Sequence, residues 1–202
     1  MSTIALICGP RGAGKTSYCR RVSAECLDIM HMSLDDTMTK IFGLPWPDTD
    51  TGAWVVAYEV MTEEIEAAII ANPSAIILAD IWNSSCIDRE KLIREFLKIG
   101  ADRVVVWYLV TPVDTARRWF LAREYSHFDR EKYAREWEWK IRSYDLDHHR
   151  YHVMAHDLRA NAITMRHPDW HVSWAPVIDV PVATIDPTQL LLRGMPLPTP
   201  FL

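Results

Sequence analysis

The chain has 202 residues, a formal net charge of −5, and ordinary globular proportions of 49% hydrophobic and 24% charged residues. That length suits one α/β domain with a sizeable core, and the acidic balance excludes a protein that coats nucleic acid non-specifically, though not one with a local basic groove. No apolar stretch is long enough to cross a bilayer, nothing at the start resembles a signal peptide, and the four cysteines (Cys8, Cys19, Cys26, Cys86) lack C-x-x-C spacing, so free thiols in a reducing cytoplasm are expected.

The first element is the apolar, β-branched run Thr3 to Cys8, which suits a strand buried on both faces. Gly9-Pro10-Arg11-Gly12-Ala13-Gly14-Lys15-Thr16-Ser17 follows and fits G-x-x-x-x-G-K-[ST], a phosphate-binding loop. Lys15 to Leu27 then reads as a helix with Tyr18, Val22 and Cys26 on one side. Strand, glycine loop and helix in this order surround a β-phosphate with backbone N–H groups and a helix N-terminus. Gly9, Arg11, Gly12, Ala13, Gly14, Lys15, Thr16 and Ser17 are therefore the candidate nucleotide-binding residues. Lys15 reaches the β- and γ-phosphates, and the Thr16 hydroxyl ligates Mg²⁺. Context and motif together indicate binding of a nucleoside triphosphate.

A second strand fits Asp28 to Ser33, ending at Asp35-Asp36, and a loop with Gly43, Pro45 and Pro47 follows. Thr51 to Ala71 reads as a long helix with Val56, Val60, Ile65, Ala68 and Ile69 near helical spacing. Ala75 to Ala79 is a third buried strand closed by Asp80. A helix over Ile87 to Ile99 carries Leu92, Ile93, Phe96 and Leu97, with Gly100 as its stop. Arg103 to Val110 is a fourth strand. Thr111 as cap and Pro112 at the first position then start a helix running to about Tyr125, and Asp129 to Tyr144 forms another. Val177 to Ile185 supplies a last strand, and Pro187 to Leu192 a short helix. The alternation implies an α/β three-layer sandwich around a mostly parallel sheet. Residues 1–192 form one domain, 112–145 its helical lid region, and 193–202 an extended tail.

Parallel sheets collect chemistry at the carboxyl ends of their strands. Asp80, directly after an apolar strand, matches an acid that holds Mg²⁺ directly or through water. A carboxylate just beyond the strand next to the phosphate loop suits the base that accepts an alcohol's proton during phosphoryl transfer. Asp35 is preferred for that role, with Asp36 as its rival, and either could instead cap the following helix. Arg117, Arg118 and Arg123 lie where cations could close over a transferring phosphoryl group. Acids interleave these cations almost one for one, so most of them read as solvated i, i+4 pairs. Trp119, Phe120, Tyr125, Phe128, Tyr133, Trp137, Trp139, Tyr144 and Tyr151 alternate with cations; such a surface can stack bases, although aromatics at helical spacing also build cores. His148, His149, His152 and His156 match no zinc spacing and read as a solvated acidic turn.

These elements resemble the P-loop kinases related to phage polynucleotide 5′-hydroxyl kinase, with zeta toxins and chloramphenicol phosphotransferase as more distant relatives. The resemblance rests on Gly9 to Ser17, Ser33-Leu34-Asp35-Asp36, Asp80-Ile81-Trp82-Asn83 and Val105 to Arg123, spanning roughly residues 3–144. It implies a P-loop kinase domain that uses ATP and Mg²⁺, with Lys15 and Thr16 holding the nucleotide, Thr16 and Asp80 the metal, Asp35 as general base, and Arg118 or Arg123 on the transferring phosphoryl. The chain departs from the pattern in two places. Thr37, Met38 and Thr39 stand where an Arg often follows the base, and Arg118 and Arg123 lie five apart rather than four. The expected acceptor is nucleic acid or a nucleotide, namely a polynucleotide 5′-hydroxyl or a hydroxymethylpyrimidine in DNA. A small molecule such as a nucleoside, antibiotic or sugar is the alternative, and a nucleotide-driven switch is a third. No G-protein N-K-x-D element is present. ATP, the acceptor and a second copy of the chain are the expected partners, with no membrane among them.

Overall fold

The structure is a computed structural model and describes residues 1–9, 12–45, 51–81, 83, 86–109, 111–122 and 182–185. Two units partition the chain, residues 1–122 with 183–202 and residues 123–182. The elements run β1 (Thr3–Cys8), α1 (Lys15–Glu25), β2 (Ile29–Ser33), α2 (Leu34–Phe42), α3 (Thr51–Ala71), β3 (Ile76–Asp80), α4 (Cys86–Lys98), β4 (Arg103–Leu109), α5 (Val113–Leu121) and β5 (Val182–Ile185). The lid region, expected over 112–145, is described only as far as Ala122. The expected helix over 129–144, the histidine cluster, the short helix over 187–192 and the tail lie outside the described residues.

Five strands form one sheet in the order β2-β3-β1-β4-β5. β1 pairs in parallel with β3 and β4, and β3 in parallel with β2. This α/β P-loop arrangement is the expected fold class. One expectation about it fails: β2 is not the neighbour of the phosphate-loop strand, because β3 lies between them. The chain crosses over after β1 and leaves a position that β3 later fills. Strand order of this kind depends on pairing between distant segments, which chain-order reading does not reveal.

The core lies where the sequence is most uniformly apolar. Ile4 to Cys8 of β1 are wholly buried, as are Ile77, Leu78 and Ala79 of β3. Strands covered on both faces have no polar side to show, which is why they read as continuous apolar runs. α1 covers one face with Tyr18, Cys19 and Val22, packed on Leu78, Val105 and Trp107, with Ile29 at the margin. α3 buries Ile65 and Ile69 as expected, but the rest of its buried stripe differs. Ala53, Ala57, Met61, Ile65 and Ile69 face inward at four-residue spacing, whereas Val56 is 44% exposed. Apolar residues surround that helix on all sides, so periodicity alone did not select the face. The small alanines let the helix approach closely.

Candidate active site

Three strand ends carry the site, and the loop after β1 comes first. Gly12 and Gly14 have φ of 83° and 84°, left-handed values that side chains rarely adopt. A Cβ on Gly12 would stand 2.4 Å from the Ala116 carbonyl oxygen of α5, and one on Gly14 would stand 3.0 Å from the Trp119 ring. α5 therefore sits directly on the phosphate loop, and only glycine fits beneath it. Gly14 is also the N-cap of α1 and offers no side-chain cap, and no acidic residue occupies the first turn. The amides that start α1 are thus left for an anion. Lys15 Nζ donates to the Gly9 carbonyl at 2.9 Å, which keeps the ammonium inside the loop. Ser17 is exposed, Ala13 is buried in the core, and Arg11 lies outside the described residues.

Thr111 holds this loop from the other side. Its buried hydroxyl donates to the Ala13 carbonyl at 2.8 Å. This corrects the expectation that Thr111 caps α5 with Pro112 as first residue: Pro112 is the N-cap, and α5 ends at Leu121 rather than near Tyr125. A carbonyl buried in the phosphate loop requires a donor, and Thr111 serves that need instead of the helix. Phe120, read as one of a series of aromatics able to stack bases, is buried at 2% exposure and belongs to the core. Trp119 is half-buried over Gly14.

β3 supplies Asp80, which is its last residue rather than the one after it. Its carboxylate accepts from the Thr16 hydroxyl at 2.6 Å. Burial alone would raise the Asp80 carboxyl, but the facing His31 imidazole, the Lys15 ammonium and the Thr16 hydroxyl outweigh it and hold the group below its ordinary value. The acid is therefore ionised beside a hydroxyl, a pair of hard oxygen donors of the kind Mg²⁺ takes alongside phosphate oxygens and water. Among the described residues no group of three or more His, Cys, Asp or Glu could hold a metal ion. Thr16 and Asp80 thus need the oxygens of a bound phosphate to complete a coordination shell. Behind Asp80, the buried Asn83 amide donates to the carbonyls of Ile7 and Ile81, both at 2.9 Å, and Arg89 donates to the Asn83 carbonyl at 3.0 Å. This network ties the ends of β1 and β3 together.

β2 leads straight into α2, a helix that the sequence reading leaves unassigned, and the expected loop begins at its C-cap, Gly43. Ser33 caps α2 by accepting from the Asp36 amide at 3.3 Å, which places Asp35 and Asp36 in the first helical turn. There the two acids diverge. Asp36 is exposed and pairs with Arg20 of α1 at 2.6 Å. Asp35 is half-buried at the strand end. Register sets Ser33 beside Asp80, so the Asp35 backbone begins one strand away from the metal-type acid and two from the phosphate loop. Two strand spacings are roughly 10 Å. Arg118 is exposed on α5, its guanidinium 3.4 Å from the Thr115 hydroxyl, and Arg123 lies outside the described residues.

Sequence reasoning missed His31, Thr111 as a loop anchor, and Arg89. For His31 a signal existed: strand alternation puts Ile29, His31 and Ser33 on one face, and a histidine between core positions is unusual there. Arg89 and Thr111 gave no signal, because their partners lie elsewhere in the chain.

Comparison with known proteins accords with this geometry. A shikimate kinase from Saccharopolyspora erythraea is 32% identical over 77 residues, 38% of this chain and 43% of that protein, so the match spans less than half of the relative. The Pnkp1/Rnl/Hen1 complex superposes with a TM-score of 0.51 at 12% identity, covering 63% of this chain and 41% of that one, a likeness of fold. A shikimate kinase from Acinetobacter baumannii, solved in complex with shikimate, reaches a TM-score of 0.42 at 24% identity over 66% of this chain and 72% of that one. The model of the AAA domain family matches residues 4–146, which include the phosphate loop, the Thr16–Asp80 pair and Asp35, and the chain therefore belongs to that family of P-loop proteins.

Proposed function

We propose that the chain transfers the γ-phosphate of ATP, bound with Mg²⁺, to a hydroxyl acceptor on nucleic acid. A polynucleotide 5′-hydroxyl or a hydroxymethylpyrimidine in DNA is the acceptor class. The observation that carries the transferase reading is the arrangement of three strand ends. The glycine loop with Lys15 follows β1, the Thr16–Asp80 pair closes β3, and Asp35 opens α2 beyond β2. A phosphate chain on the loop would extend toward Asp80, and an alcohol approaching its far end would meet Asp35.

In this reading the α1 amides and the loop glycines bind the phosphates, and Lys15 exchanges the Gly9 carbonyl for phosphate oxygens. Thr16 and Asp80 hold Mg²⁺, which when bound neutralises charge on those oxygens. Asp35 accepts the proton of the attacking hydroxyl, and Asp36, engaged by Arg20, does not. Arg118, exposed on α5, stabilises the transferring group, with Arg123 as the alternative. The nucleic-acid acceptor is supported by the alternation of aromatics and cations from Trp119 to Tyr151.

A second reading, a small-molecule hydroxyl as acceptor, is favoured by the 32% identity to a shikimate kinase over 77 residues. Competition separates the two. Short 5′-hydroxyl oligonucleotides should suppress labelling of a mixed acceptor pool, and nucleosides, phenicol alcohols and polyol acids should not. Suppression by a small molecule alone would replace the first reading with the second.

A further inference from the structure

Beyond its pull on the Asp80 carboxyl, His31 has no part in the transfer reading above, yet it lies beside that acid in the site. Register places His31 beside Leu78 and Ser33 beside Asp80, and side chains two apart on a strand share a face. Leu78 and Ile29 pack with Tyr18, Cys19 and Val22, so this is the face that α1 covers. The His31 side chain is 7% exposed, and its Nε2 stands 3.9 Å from Asp80 Oδ2. That separation is too long for a hydrogen bond, and Nε2 has no hydrogen-bond partner among the described residues. Buried polar nitrogens rarely go unpartnered in folded proteins. One carboxylate thus has two neighbours: Thr16, already bonded at 2.6 Å, and His31, about one ångström short of bonding.

We propose that His31 is a positioning residue for the divalent cation, its Nε2 hydrogen-bonding the Asp80 carboxylate once the cation draws that group away from Thr16. The inference rests on the Mg²⁺·ATP reading above and deepens it. A carboxylate that turns to meet a metal needs a donor to hold its orientation, and His31 is the buried group placed to supply one. Partners of this kind, one step removed from the metal, change its affinity by about 10- to 100-fold when removed. They have little effect on a nucleotide bound without metal.

The test uses Mn²⁺ as a paramagnetic probe with ADP, reading free Mn²⁺ by its EPR signal, and a fluorescent ADP analogue titrated in EDTA for metal-free binding. H31L is expected to weaken Mn²⁺ binding at least tenfold while metal-free ADP binding stays within twofold. H31Q carries an amide donor near the Nε2 position and should recover most of the loss. H31N ends short of that position and should not, so this pair decides the matter if H31L folds poorly. Equal Mn²⁺ affinity in H31L and wild type, parallel loss of metal-free binding, or H31Q no better than H31N would each overturn the proposal. Absence of Mn²⁺ binding in the wild type with ADP would overturn the metal-nucleotide reading itself, and His31 with it.

Discussion

Replacing Gly12 with alanine isolates the contact between the phosphate loop and α5, because Gly43 provides a matched control. Both glycines have left-handed backbone, with φ of 83° and 77°. A side chain at either position therefore meets the same intrinsic penalty of about 1–2 kcal/mol. Their surroundings differ. The new Cβ at Gly43 meets nothing within 4 Å, whereas at Gly12 it would stand 2.4 Å from the Ala116 carbonyl oxygen and 3.0 Å from Phe120 Cβ. The Ala116 carbonyl is helix backbone, not a flexible side-chain end that can swing away, and Phe120 is buried, so α5 or the loop must shift by about an ångström. Overpacking of this kind costs about 1–3 kcal/mol more. Urea unfolding should therefore place Gly12→Ala about 1–3 kcal/mol below Gly43→Ala at a shared m-value. ATP affinity should fall at least tenfold for Gly12→Ala and be unchanged for Gly43→Ala. Equal destabilisation of the two variants would refute the claim that α5 rests on the loop.

Three further outcomes follow from particular contacts. Thr111→Val removes the donor to the Ala13 carbonyl and leaves that oxygen buried and unpaired, so unfolding experiments should show a loss of about 1–3 kcal/mol, and unchanged stability would remove Thr111 as the anchor of the loop. Asp80→Asn keeps the shape but removes the charge; Mg²⁺-dependent ATP binding should drop at least tenfold while binding in EDTA is retained, and an unchanged Mg²⁺ requirement would remove Asp80 from the metal site. Burial pushes the Cys8 thiol up from 9.0 to about 11, against weaker opposing pulls from Arg89 and Lys15. The folded value is the higher one, so the thiol's contribution is intact below pH 9 and is lost between pH 9 and about 11 as the unfolded chain ionises first. That loss is on the order of 2–3 kcal/mol. Urea midpoints at pH 8.5 and 10.5 should converge between wild type and Cys8→Ala as pH rises, and parallel decline of both would dismiss the effect.

What the sequence made legible was local. The phosphate loop is a contiguous motif between a strand and a helix, although what Gly12 and Gly14 make room for is α5, far along the chain. β1, β3 and β4 were legible because strands covered on both faces must be apolar throughout. Features that depend on distant partners were hidden. Thr111 reads as a cap in its own neighbourhood, but its hydroxyl serves Ala13, 98 residues earlier. Asp35 and Asp36 are indistinguishable in sequence; in the structure Asp35 is half-buried, whereas Asp36 is exposed and pairs with Arg20 of α1. The insertion of β3 between β1 and β2 moves Asp35 one strand further from the loop than chain order suggests. In α3 an excess of apolar residues, with Val56 outside and Ala53 and Ala57 inside, left the buried face undetermined until the sheet selected it. Strand alternation marked His31 as unusual for its face, but its partner was hidden, because nothing near it in sequence announces that Ser33 pairs with Asp80.

Single-turnover transfer of labelled γ-phosphate from Mg²⁺·ATP to a 5′-hydroxyl oligonucleotide tests most directly whether Asp35 is the base for γ-phosphate transfer. Asp35→Asn should bind ATP as the wild type does and lose transfer by about 10²- to 10⁴-fold. Asp36→Asn, which breaks only an exposed ion pair with Arg20, should transfer at close to the wild-type rate. Undiminished transfer by Asp35→Asn, or loss confined to Asp36→Asn, would contradict the account.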